Sequence, residues 1–225
     1  MTQSGPTEGT PPSDASSVGS DNATVISVDA MGGDAGPSVV VSGLAISAEK
    51  NPDIRFILHG PRDELTALVA RKSTLSGRVE IRDAVGVVRM DDKPSHVMCN
   101  GRDTSMWSTI EAVRAGDATV AVSCGNTGAL MAVSMIRLRK IPGVNRPAIA
   151  CLWPSRSASG FNVMLDVGAD IKADAADLVQ YALMGASYAR NGLGLAKPRL
   201  GLLNVGTEEH KGRAELKEAN DLLDA

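Results

Sequence analysis

From residue 24 onward, short apolar runs alternate with longer segments of helical periodicity, and this alternation limits the fold more than any other feature of the 225-residue chain. Strands are predicted near 25–29, 54–58, 79–83, 118–123, 147–152, 161–166 and 199–205. Helices are predicted near 37–50, 61–72, 104–115, 127–140, 174–190 and 213–224. A strand followed by a helix and another strand returns the chain in the same direction, so the order implies an α/β fold whose mainly parallel sheet is covered by helices. Residues 91–95 (Asp-Asp-Lys-Pro-Ser) read as a polar loop and residues 141–147 as a rigid connector. No internal repeat stands out.

Residues 1–23 are Ser, Thr, Gly, Pro, Asp and Asn with few apolar side chains, too few to offset the entropy of ordering, and read as a disordered tail. Residues 24–225 read as one α/β domain. With 43% hydrophobic residues, a domain of this size buries roughly 70–75% of its unfolded surface and needs no metal or disulfide for a core. The tail lacks the basic start and apolar centre of a signal peptide, and no later segment has the apolar length of a membrane span. A cytoplasmic protein is the expectation.

A net charge of −3 with 3% aromatic residues argues against a general nucleic-acid surface, which needs basic stripes and stacking rings. The three cysteines, Cys99, Cys124 and Cys151, have no paired spacing and fit reduced thiols. His59, His96 and His210 stand far apart without carboxylates at ligand spacing, so no metal site is expected.

Three glycine-bearing turns follow predicted strands. Val120-Ala121-Val122-Ser123-Cys124 runs into Gly125-Asn126-Thr127-Gly128 and then a helix. The first amides of a helix lack intrahelical acceptors and sit at the positive end of its dipole, so this turn suits a phosphate or an oxyanion. Val25-Ile26-Ser27-Val28-Asp29 precedes Gly32-Gly33-Asp34, with Pro37 placed as a first-turn residue. The third turn, 206–212, carries Glu208 and Lys211. In open parallel sheets ligands lie beyond the carboxyl ends of strands, where the three turns would converge.

The motifs at 28–34 (Val-Asp-Ala-Met-Gly-Gly-Asp), 90–94 (Met-Asp-Asp-Lys-Pro), 125–131 (Gly-Asn-Thr-Gly-Ala-Leu-Met), 165–169 (Leu-Asp-Val-Gly-Ala) and 202–212 occur jointly and in order. In these motifs the chain from residue 24 to its end strongly resembles the phosphate acyltransferases of bacterial phospholipid synthesis, the PlsX type. The resemblance implies a three-layer α/β/α Rossmann-like fold, similar to isocitrate and isopropylmalate dehydrogenases and to phosphotransacetylases. It implies transfer of a fatty acyl group from acyl carrier protein to inorganic phosphate, with no cofactor. The acyl phosphate formed would feed a glycerol-phosphate acyltransferase. It also implies a homodimer with loose peripheral contact to the membrane.

Phosphate is already a nucleophile, so the site must neutralise and orient it, supply donors to the developing oxyanion and exclude water. Asn126 and Thr127, with the amides of Gly125 and Gly128, suit the phosphate, although Asn126 or Thr127 also reads as a helix cap. Lys211 matches a lysine of the family motif and is the expected catalytic cation beside Asn126; its other reading is a solvated surface lysine. Glu208 holds that lysine or favours the helix start. Asp29 and Asp34 flank Gly32 and Gly33, where a carboxylate repels phosphate and supports rather than binds, and Asp34 also reads as a turn or cap residue. Gly32 and Gly33 permit close backbone approach. Asp166 and Lys172 form a further wall, with Asp170 standing where the family has an amide.

Cys124 reads as a small buried thiol rather than a nucleophile, since no histidine supports it. Arg137, Arg139, Lys140 and Arg146 form the densest basic cluster. They either complete a helix or steer an acidic carrier protein. Residues 99–103 carry one arginine where relatives carry several basic residues, which weakens any acidic contact there. The family continues with further strands, so the chain is expected to be truncated at its C-terminus, with reduced turnover and an uncovered sheet edge. Two other readings stay open: a coenzyme A-dependent phosphotransacylase, and a non-catalytic module binding acyl carrier protein or a membrane assembly. The absence of GxGxxG after any strand weakens a nicotinamide dehydrogenase.

Overall fold

The computed structural model describes residues 24–157, 159–167, 173–206 and 211–224. Four strands, β1 (Val25–Asp29), β2 (Arg55–Gly60), β3 (Val79–Asp83) and β4 (Val120–Val122), form a parallel sheet in the order β3-β2-β1-β4. Val28 stands opposite Leu58 on one side and Val122 on the other. Successive strand residues point to opposite faces, so each strand feeds two cores. On one face Val28, Phe56 and Leu58 pack against Val41, Leu44 and Ala48 of α1 (Pro37–Lys50) and Leu65 of α2 (Arg62–Ala70). On the other, Val25 and Ile57 meet Ala112 and Val113 of α4 (Ser105–Ala115). The fold is therefore a three-layer α/β/α arrangement with a mainly parallel sheet.

Local chemistry sets the element ends. Pro37 opens α1, where its missing N–H removes no hydrogen bond. The Thr104 hydroxyl caps α4 by accepting from the Trp107 amide, and Gly116 ends it at φ 83°, a left-handed conformation. Arg78 donates to the carbonyls of Ala48, Asn51 and Ile54, tying the end of α1 to the start of β2 and β3.

Three expectations about the elements need correction. The polar stretch 91–95 is not wholly loop, because Pro94 begins a short helix, α3 (Pro94–Asn100), again as a first-turn proline. The helix predicted over 127–140 is α5 (Thr127–Leu138), which stops before Arg139 at φ 65°. The strand predicted over 199–205 does not form: those residues carry no regular structure, and Leu203 and Val205 are 74% and 84% exposed. A strand exists only with a ladder partner, and no described strand pairs with this segment. The edge strand β4 leaves Val120 and Val122 partly exposed.

The strands predicted near 147–152 and 161–166 are present as β5 (Ala150–Pro154) and β6 (Phe161–Leu165). They pair antiparallel as a separate ribbon, because the few residues between them cannot make a helical crossover. The long helix α6 (Ala175–Leu193) packs on β6 and on α7 (Ala214–Asp224). Among the described residues no helix is long and apolar enough to cross a membrane.

Candidate functional site

The chain proceeds from β1 outward through β2 to β3 and then returns to place β4 on the other side of β1. The crevice beyond the carboxyl ends of β1 and β4 is therefore a topological switch point, where helix-bound loops diverge and leave room for a ligand. Two of the three predicted turns meet there.

Their meeting is built on one carboxylate. Asp29, the last residue of β1, is 2% exposed. Its Oδ1 accepts the Met31 amide at 3.1 Å, and its Oδ2 accepts the Ser123 hydroxyl at 2.7 Å. Ser123 Oγ in turn accepts the Gly125 amide at 3.1 Å. The backbones approach so closely that a Cβ on Gly32 would lie 2.7 Å from Ser123 Oγ and 2.8 Å from both Asp29 Oδ2 and the Gly125 nitrogen. Gly33, at φ +97°, adopts a conformation that side-chain-bearing residues rarely take.

Asn126, buried and capping α5, has both side-chain polar groups engaged. Its Oδ1 accepts the Ala129 amide at 3.0 Å. Its Nδ2 lies 3.1, 3.1 and 2.9 Å from the carbonyls of Arg89, Met90 and Asp92. The cap reading left open by the sequence is thus the one its side chain occupies, and it clamps the 89–92 loop onto α5. The Gly125 amide is likewise committed to Ser123. A Cβ on Gly128 would lie 3.0 Å from Pro94 Cγ, so this glycine seats α3 against α5. What is left uncommitted at the start of α5 is exposed Thr127 with the Thr127 and Gly128 amides, which have no acceptor among the described residues. Amides at the positive end of a helix dipole are an anion site.

Asp34 is exposed and does not cap α1, whose N-cap is Gly36 without a side-chain bond. Cys124 is exposed, which corrects the expectation of a buried thiol: it projects from the turn, its Cβ 3.2 Å from where a Gly33 Cβ would be. Asp166 closes β6 at φ 57°, in the antiparallel ribbon, with its amide donating to the Ile149 carbonyl. Lys211 is exposed ahead of α7, beside Gly212, where a Cβ would run into the Asn204 amide. Lys172 and Glu208 lie outside the described residues.

The basic cluster is divided. Arg137 holds Glu111 at 2.6 Å and places its guanidinium 5.4 Å from the centre of the Trp107 ring. Burial pushes the Glu111 carboxyl up, but hydrogen bonds from Arg137 and Arg114 outweigh it and hold the group below its ordinary value. Lys140 donates to the Asn145 carbonyl at 2.5 Å. Arg137 thus finishes and anchors a helix.

Sequence reasoning missed Ser123, which links the two turns, and the buried set beneath it. Ser27 on β1 and His59 on β2, which stands opposite Asp29, hydrogen-bond to each other and to Thr109 and Ser108 of α4. The one signal was a hydroxyl at the carboxyl end of a strand directly before a glycine turn.

Residues 24–225 match a family model described as "Fatty acid synthesis protein". The chain belongs to this family. Among its relatives, the phosphate acyltransferase of Dinoroseobacter shibae is 77% identical over 200 residues, 89% of this chain and 52% of that protein. That of Paracoccus denitrificans is 72% identical over 205 residues, 91% of this chain and 55% of that protein. The chain therefore spans about half the length of the curated relatives it matches. Among solved structures, EutD phosphotransacetylase from Staphylococcus aureus superposes with a TM-score of 0.61 at 14% identity, covering 91% of this chain and 64% of that one. A phosphotransacetylase from Streptococcus pyogenes gives 0.62 at 16%, covering 89% and 65%. These two similarities establish the fold.

Proposed function

We propose that the chain serves the transfer of a fatty acyl group from an acyl carrier protein thioester to inorganic phosphate, and that the turn opening α5 binds the phosphate. The observation that carries this is the switch-point crevice, where two glycine turns are locked together and the amides of exposed Thr127 and Gly128 have no acceptor among the described residues. Membership of the family and the names of its relatives agree with it.

A phosphate oxygen attacks the thioester carbonyl carbon, and the carbonyl π pair moves to oxygen. Collapse of that oxyanion expels the carrier's thiolate and leaves a carboxylic–phosphoric anhydride. The nucleophile arrives charged, so catalysis lies in positioning and in charge stabilisation. In this reading Thr127 and Gly128 hold the phosphate, and Lys211 supplies the cation. Gly32 and Gly33 shape the floor with Asp29 beneath, while Asp34, Asp166, Lys172 and Glu208 belong to the surrounding walls. Asn126 acts by holding α5 and the 89–92 loop in place. The carrier protein, an acidic partner, is steered by Arg139 and Lys140, both exposed. The working protein is a cytoplasmic homodimer that meets the membrane peripherally.

The test is loss of thioester from a long-chain acyl carrier protein, with hydroxylamine trapping the acyl phosphate and an acyl coenzyme A donor run in parallel. Hydroxamate that rises with phosphate and is not matched by sulfate supports the reading. Thioester loss independent of phosphate overturns it, and product from the coenzyme A donor alone overturns the assignment of the carrier protein.

A further inference from the structure

We infer that Ser123 is a positioning residue for the phosphate-binding turn, acting through Asp29 to fix the two glycine loops in one arrangement. This rests on the proposed phosphate role of that turn and adds a residue to it.

The hydrogen-bond directions follow from proton counts. The Asp29 carboxylate only accepts, so the Ser123 hydroxyl must donate to Oδ2, 2.7 Å away. That leaves the Ser123 oxygen lone pairs for the Gly125 amide at 3.1 Å. On the other carboxylate oxygen sits the Met31 amide at 3.1 Å. One continuous relay thus runs from Gly125 through Ser123 and Asp29 to Met31, joining turns 94 residues apart in sequence. Hydrogen bonds to an ionised group are the strong kind, and within a buried site they polarise one another.

The relay also solves an electrostatic problem. Asp29 is a buried carboxylate next to a turn that is to hold an anion. Two donors turned onto it, the Met31 amide and the Ser123 hydroxyl, satisfy the carboxylate within the protein and offset its charge beside that turn. Without the Ser123 hydroxyl, Oδ2 loses a donor and the Gly125 amide loses its acceptor, so the turn that aims the α5 amides is released. Gly32, with no space for a Cβ against Ser123, Asp29 or Gly125, keeps the two loops at this separation.

Inorganic phosphate is titrated into the 225-residue chain by calorimetry, with backbone amide NMR of Gly125 and Met31 recorded alongside. Ser123→Ala is expected to weaken phosphate binding about tenfold, the size of one hydrogen bond to a charged group, and to move both amide resonances. Ser123→Thr keeps the hydroxyl and is expected to bind within about twofold of the parent chain. Ser123→Val has the shape of threonine without the hydroxyl and is expected to match Ser123→Ala, so the Thr/Val pair decides the matter if Ser123→Ala does not fold. Parental affinity in Ser123→Ala or Ser123→Val, or a Met31 resonance that stays in place, overturns the inference alone. Absence of phosphate binding by the parent chain overturns the phosphate reading of the turn, and this inference with it.

Discussion

Ser27 Oγ lies 2.8 Å from His59 Nε2, with both residues wholly buried between the sheet and α4. The Ser27 proton goes to the Thr109 carbonyl at 2.9 Å, so the serine can only accept from the ring. This network assigns the proton to Nε2 and leaves Nδ1 to accept from the Ser108 hydroxyl at 2.7 Å. Both nitrogens of the neutral ring are thus satisfied. Burial lowers its pKa from 6.5 to about 4, with the positive charge of Arg82 adding to the shift and Glu80 opposing it.

Stability is therefore expected to depend on His59 in acid. A group whose pKa is lowered by folding contributes its full share above its unfolded value and loses it as pH falls through the folded one. Between pH 6.5 and 4 the unfolded chain takes up a proton that the folded chain refuses, which amounts to about 3 kcal/mol over the window. Urea midpoints at pH 7.5, 5.5 and 4 should fall accordingly. His59→Gln is expected to be less stable at pH 7.5 and to show a much flatter profile; an equally steep one would assign the effect elsewhere.

Gly32→Ala is expected to damage both stability and the site. The new methyl would meet Ser123 Oγ, Asp29 Oδ2 and the Gly125 nitrogen at 2.7–2.8 Å, three groups fixed to one another rather than flexible chain ends. Forcing atoms into a packed site costs about 1–3 kcal/mol. Denaturant unfolding should show that loss together with weaker phosphate binding. Gly43→Ala, a helical position where an added Cβ meets no neighbour within 4 Å, should show neither.

Substitution of Asn126 separates its two duties. Asn126→Asp keeps the oxygen that caps Ala129 but sets a carboxylate against the carbonyls of Arg89, Met90 and Asp92. Asn126→Ala loses the cap as well, about 1 kcal/mol, and leaves the loop carbonyls without their donor, about 1–3 kcal/mol more. Hydrogen exchange should quicken in the 89–92 loop in both variants. At the start of α5 it should quicken chiefly in Asn126→Ala.

How far the sequence reveals this molecule depends on the range of each signal. The central strands β1 and β2 are legible because both their faces are covered, which makes Val25–Val28 and Phe56–Leu58 near-continuous apolar runs. α3 escapes notice because seven residues carry little periodicity and Asp91-Asp92-Lys93 before it reads as loop. The segment 199–205 has a strand's pattern, yet pattern alone supplies no ladder partner. Within the site, Asn126 and the glycines announce themselves by local turn and cap chemistry. Ser123 does not, since its meaning comes from a carboxylate 94 residues away. Cys124 reads as buried from its small thiol and the lack of a supporting histidine, yet it is exposed in the turn, because exposure there is set by how the chain packs and not by residue type.

The basic cluster after Ile136 yields a separation of roles. Arg137 is held by Glu111 and lies over the buried Trp107, so its charge is committed within the fold. Glu111 is about one-third exposed, and solvent screening keeps the ion pair small. With the ring contact, Arg137→Ala should cost about 1 kcal/mol, seen as a lower melting temperature and a changed Trp107 emission. Arg139 and Lys140 follow the helix end and are exposed. Reversing them, Arg139→Glu with Lys140→Glu, should leave the melting temperature nearly unchanged and slow association with acyl carrier protein. That slowing should be largest at low salt and fade as ionic strength shortens the Debye length. A salt-independent loss, or association unaffected by the reversal, would move carrier-protein docking away from this end of α5.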